Sequence, residues 1–121
     1  MRYACLIYME PQKVFNDSPE ANAVLAEVRA FDERFKATGH LVLGVPLTLP
    51  KEAVTVRVRD GRTSTTDGPF METKEVLGGL TLIEARDLNE AVQIAAQIPL
   101  AKLGAVEVRP LIDFSKPRPK L

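Results

Sequence analysis

The residues with chemistry to offer gather in one stretch of the chain, between positions 57 and 75. Arg57 and Arg59 stand two apart in an alternating segment. A strand there puts both guanidinium forks on one face, where they suit a carboxylate or phosphate or else salt-bridge across strands. Asp67 follows, opening the sharp break Asp67-Gly68-Pro69-Phe70. A carboxylate held at that turn would serve as general base at the mouth of a cleft, or pair with Arg57 or Arg59. It would equally well close an Asx-turn on backbone N–H groups two residues on. Gly68 and Pro69 read as backbone geometry and Phe70 as a packing anchor for the loop. Glu72, Lys74 and Glu75 alternate in charge beyond the break; they would close a pocket with Asp67 or form surface ion pairs. His40, the single histidine, would do acid–base work near neutrality or sit exposed at a strand edge. Cys5 reads as an inert core thiol, and Tyr3 or Tyr8 would line a cavity between sheets or simply pack.

Composition narrows what such residues can serve. The chain has 121 residues, with 16 Lys and Arg against 16 Asp and Glu, so it fits one domain with no net charge. That balance argues against a general nucleic-acid binder, which needs a basic stripe. The 45% hydrophobic share argues for a globular chain rather than a solvated one. One cysteine allows neither an internal disulfide nor a cysteine metal cage, and one histidine allows no imidazole cluster within a subunit. No metal and no cofactor are expected. The apolar run Ala4–Met9 is too short for a signal peptide, and no stretch reaches the roughly 18 apolar residues of a bilayer span. A cytoplasmic setting without a membrane partner is the expectation.

The elements that must position these groups follow from the hydrophobic pattern. Residues 2–9 read as a strand apolar on both faces. Ser18-Pro19-Glu20 starts a helix whose stripe is Val24, Val28, Phe31 and Phe35, and Gly39 stops it. A second strand runs from His40 to Leu47. Val54, Val56 and Val58 alternate with Thr55, Arg57 and Arg59, and Asp60-Gly61 then turns the chain into a return strand over 62–66. Gly78-Gly79 opens a strand at 80–85. Asp87 caps a helix with Leu88, Ala91, Val92, Ala95 and Ile98 as its buried stripe, which Pro99 ends. Residues 105–112 form the last strand. One domain over 1–112 and a proline-spaced basic tail over 113–121 result. The order β-α-β, hairpin, β-α-β predicts an α+β, ferredoxin-like antiparallel sheet with two helices on one face. Strands apolar on both faces then need a cover on the other side. A second copy of the chain, sheet against sheet, predicts a homodimer. The pocket is expected between sheet and helices, near the hairpin.

The segment Val54–Gly61, then Thr66-Asp67-Gly68-Pro69-Phe70-Met71-Glu72-Thr73-Lys74-Glu75 and Gly78-Gly79, resembles the DGPF branch of the YCII-related proteins. Arg2-Tyr3 to Tyr8 and Gly104–Pro110 are similar to the same bacterial family. The resemblance implies a dimeric α+β barrel, the superfamily of muconolactone isomerase and small monooxygenases. It also implies an enzyme built on a His–Asp pair in a cleft. That pair has no counterpart here: residues 18–38 contain no histidine, and Ile98-Pro99 replaces the Asp-Pro motif. Family gene context implies a link to extracytoplasmic-function sigma factors.

Three functional expectations result. The first is a small-molecule-binding dimer or metal-free enzyme of isomerase or lyase type. Asp67, Glu72 or His40 would be its acid–base groups, Arg57 or Arg59 its oxyanion partners, and Phe70 and Lys74 further ligand contacts. The second is a non-enzymatic regulatory module whose partner is a sigma factor. The third is a dimeric scaffold that has lost an ancestral activity.

Overall fold

The computed structural model describes all of residues 1–121. In chain order the elements are β1 (Arg2–Met9), α1 (Pro11–Val14), α2 (Pro19–Ala37), β2 (Leu41–Pro46), β3 (Val54–Arg59), β4 (Arg62–Asp67), β5 (Val76–Glu84), α3 (Leu88–Ala95) and β6 (Gly104–Pro110). Four strands form one antiparallel sheet in the order β2-β5-β1-β6, and β3 and β4 form a separate two-stranded sheet. This is the ferredoxin-like α+β arrangement of the α+β barrel class.

Local chemistry sets the boundaries. The Ser18 hydroxyl accepts the Ala21 N–H at 3.1 Å, with Pro19 in the first helical turn. The Asp87 carboxylate accepts the Glu90 N–H at 2.9 Å at the head of α3. In the β3–β4 turn Asp60 (φ +52°) and Gly61 (φ +73°) are both left-handed, as a type I′ hairpin requires.

The core lies between one sheet face and both long helices. Tyr3, Cys5, Ile7 and Ile83 point from the strands to Phe31 and Phe35 of α2 and to Ala91, Ile94, Ala95 and Ile98 of the α3 segment. Burial pushes the Cys5 thiol up to about 11, so it stays a neutral thiol at physiological pH.

Several features differ from the sequence expectation, those of α3, β5 and β6 most. In α3, Ile94 is buried, whereas Leu88 and Val92 are 50% and 49% exposed. The helix spans only eight residues and turns its alanine edge, Ala91 and Ala95, to the sheet. Strand β5 begins at Val76 rather than beyond the glycines, because Leu77 and Val76 pair with Tyr8 and Met9 across a bulge. Strand β6 ends at Pro110, with one last contact beyond it from the Leu111 N–H to the Arg2 carbonyl at 3.1 Å.

On the other face β1, β2 and β5 present Ala4, Leu6, Leu80, Leu82, Leu43 and Val45, and Leu43 is 48% exposed. The helices leave this face bare.

Candidate functional site

At one end of the bare face lies a cavity of about 510 Å³, mostly apolar. Tyr8 and Leu77, cross-strand partners on that face, form its floor. Leu47, Leu49 and Pro50 close one side, from the connector between β2 and β3, and Pro69, Phe70 and Met71 close another. Polar groups are few: the Tyr8 phenol, Thr48, Thr73 and Glu75. A small set of polar groups in an apolar hollow is the usual make-up of a small-molecule site.

Backbone contacts hold the walls. Leu47 N–H donates to the Gly78 carbonyl at 3.0 Å, which ties the connector to the head of β5. Gly68 N–H donates to the Ala53 carbonyl at 2.7 Å, and the Thr55 hydroxyl donates to the Gly68 carbonyl at 2.9 Å. Gly68 sits at φ +102°, a conformation that suits glycine alone. Together these contacts pin the hairpin stem to the Asp67–Phe70 turn. The Arg57 guanidinium lies 5.0 Å over the Phe70 ring, a cation–π contact.

The sequence candidates separate into groups. Phe70 lines the cavity and Arg57 stacks on it. Arg59 lies one alternation further out, with its guanidinium on the Val58 carbonyl at 3.0 Å. Asp67 ends β4 opposite Val54; its carboxylate forms neither an ion pair nor a side-chain hydrogen bond. Glu72 sits between Met71 and Thr73, both of which line the cavity, without lining it itself. Lys74 reaches away, to Glu10 at 3.3 Å. His40 belongs to the opposite end of the sheet, about 20 Å off along the six residues of β2. There its Nδ1 meets the Thr38 hydroxyl at 2.7 Å and its Nε2 lies 3.5 Å from Glu90. The cavity itself lies on the bare side of the sheet; a separate apolar hollow of about 450 Å³, away from the hairpin, opens between α3 and β6 beside Leu88, Val92, Val106 and Val108.

The connector Leu47-Thr48-Leu49-Pro50 carries no side chain that sequence chemistry singles out. Two leucines in a proline-rich loop were the available signal. Glu75 is the one carboxylate in the wall, shared with a neighbouring polar cavity lined by Lys13, Ser18 and Lys102. No three His, Cys, Asp or Glu side chains converge as a metal would require, and no helix is long and apolar enough to cross a membrane.

Glu10 organises this end of the sheet. Lys13 stands 2.6 Å from one of its oxygens and Lys74 3.3 Å from the other. The Lys13 hydrogen bond, with Lys74 behind it, holds the Glu10 carboxyl below its ordinary 4.5. A folded-state value below the unfolded one stabilises the fold above that pH, and the contribution disappears as pH falls through the folded value. Glu10→Gln is therefore expected to narrow the stability difference between pH 7 and pH 3, read from urea midpoints at both. An unchanged difference would place the acid sensitivity elsewhere.

Among solved structures, the chain is similar to a 5-chloro-2-hydroxyhydroquinone dehydrochlorinase from Burkholderia phenoliruptrix AC1100, determined with 2,5-dihydroxybenzoquinone. The TM-score is 0.55 at 18% identity, over 93% of this chain and 94% of that one. That likeness carries the fold. An uncharacterised protein of Rhizobium meliloti (strain 1021) is 35% identical over 114 residues, 92% of each chain. With a family model matching residues 1–115 as well, the chain belongs to the YCII-related domain family.

Proposed function

We propose that the chain is a cytoplasmic homodimer of the DGPF branch that binds a small, largely apolar molecule in the cavity beside the Asp67–Phe70 turn. The observation that carries this reading is the cavity itself, apolar on a floor of Tyr8 and Leu77. A second copy seated on the bare sheet face would roof it, since Tyr8 and Leu77 belong to that face. The relative from Burkholderia phenoliruptrix, solved with a planar quinone, makes a ring-shaped ligand a reasonable occupant. Any chemistry would be proton transfer. Glu75 is the carboxylate in the wall and Tyr8 the phenol in the floor; Glu72, between the lining residues Met71 and Thr73, is a reserve base, and Asp67 lies on the Val54 face of the hairpin.

The test is fluorescence titration with N-phenyl-1-naphthylamine, a neutral aromatic probe. Wild type is expected to bind it, and Leu77→Trp, which fills the floor, to lose at least about tenfold in affinity. Equal binding by the filled variant would refute the cavity as the site.

A second reading, an interaction module acting on a sigma factor, has one observation in its favour. Val54, Val56 and Val58 form a stripe 57–59% exposed on the free hairpin. Failure of the purified chain to bind an extracytoplasmic-function sigma factor at micromolar concentration would remove that reading.

A further inference from the structure

We infer that the cavity takes an organic anion: an apolar body of one or two rings, or the aliphatic equivalent, with its anionic group at the Arg57 rim. The inference rests on the small-molecule reading above and names its ligand class.

The arginines of the chain differ in their partners. Arg2, Arg29, Arg86 and Arg109 each lie within 4 Å of a carboxylate. Arg34 donates to Gln97 at 2.7 Å and lies over Phe35. Apart from Arg34, with its Gln97 partner, and Arg118 in the tail, the arginines that meet no carboxylate are Arg57, Arg59 and Arg62, although 16 acidic residues are available. The hairpin register concentrates them further. Arg59 stands directly opposite Arg62, and Arg57 is on the same face two residues earlier. Like charges directly opposed destabilise a strand pair. A free hairpin would ordinarily relieve that with an acidic partner, and the facing positions carry Ser64 and Thr66 instead.

The same face looks onto the cavity wall. Thr55, in line with Arg57, bonds the Gly68 carbonyl, and Arg57 itself lies over the ring of Phe70, which lines the cavity. A guanidinium stacked on a ring keeps its N–H donors free in its own plane, where they fork a carboxylate, sulfonate or phosphate. Phe70 also holds the arginine in place, so little side-chain freedom is lost on binding. Arg59 and Arg62 extend the positive field toward the hairpin tip. The one acid in the wall, Glu75, belongs to the side shared with the Lys13 cavity, away from this rim.

Two probes with nearly the same apolar body separate apolar binding from anion recognition. N-phenyl-1-naphthylamine is neutral, and 1-anilinonaphthalene-8-sulfonate adds one anionic group. Wild type is expected to bind the sulfonate about tenfold more tightly, the worth of one charge-assisted contact. Arg57→Gln should remove that preference, read as the ratio of the two probes' affinities within the one variant, so that any loosening of the Phe70 wall cancels. Arg57→Lys should retain part of the preference, and 0.5 M salt should shrink it in wild type. Equal affinity for both probes in wild type, or a preference that survives in Arg57→Gln, overturns the anion inference and leaves the cavity reading standing. If neither probe binds, or Leu77→Trp binds both as wild type does, the cavity reading fails and this inference with it.

Discussion

Replacing Gly104 with alanine is expected to destabilise the fold by about 3 kcal/mol, the upper end for overpacking a tight contact. A Cβ at this position would stand 2.0 Å from the Tyr8 carbonyl oxygen and 3.1 Å from the Met9 Cα. Both are backbone atoms of the neighbouring strand, so no side-chain rotation relieves the overlap. Either β6 moves off β1 or the pairing of Met9 with Gly104 breaks. That pairing delivers Val106 and Val108 to the core. Gly78→Ala is the control. Its Cβ would meet the Met9 side chain at 2.8 Å, at the end of a flexible chain. That substitution should cost under about 1.5 kcal/mol. Urea unfolding of both variants checks the contrast; equal costs would mean that β6 shifts freely.

Leu80→Glu is expected to convert the proposed dimer to monomer. Leu80 pairs with Leu6 on one side and Val45 on the other, at the middle of the bare face. Each leucine withdrawn from an interface forfeits roughly 2 kcal/mol, and two-fold symmetry doubles the loss. Two carboxylates brought together without partners raise the cost further. The dissociation constant should therefore rise by at least about a thousandfold. Light scattering at micromolar concentration reads the outcome: twice the 13.3 kDa chain mass for wild type and the single chain mass for the variant. Thr81 and Gly79 face the other way and keep the core intact. A wild type already at 13.3 kDa would end the dimer proposal.

How much of this was legible in the sequence depends on what each feature depends on. Local chemistry was readable: the Ser18 and Asp87 caps, the Asp60-Gly61 turn and the Phe31–Phe35 stripe are set by side chains within a few residues of one another. The α+β order followed from those elements. The orientation of α3 was not readable, because Leu88 and Val92 form as good a stripe as Ala91 and Ile94. Only the depth of the sheet surface chooses between them, and it prefers the smaller alanines. The site was legible in part for the same reason. Arg57 and Phe70 are brought together by a short hairpin and its adjoining turn. The floor, Tyr8 against Leu77, needs a bulge and a register that pair residues 69 positions apart. The diversion of Lys74 to Glu10 depends on the course of the chain beyond β1, which no spacing in the 57–75 segment encodes.

The hairpin of β3 and β4 shares no strand pairing with the four-stranded sheet; Ala53, Thr55 and Gly68 close its own stem, and the connector before it is tied to the sheet at Leu47 and Gly78. Inheritance of the fold and inheritance of ligand preference are thereby separated. Substitutions along the hairpin faces leave every core residue in place, so a lineage can trade arginines for other side chains and acquire a new ligand without passing through an unfolded ancestor. Divergence of specificity within such a family is expected to concentrate in these few residues, while β1, β5 and the helices drift slowly.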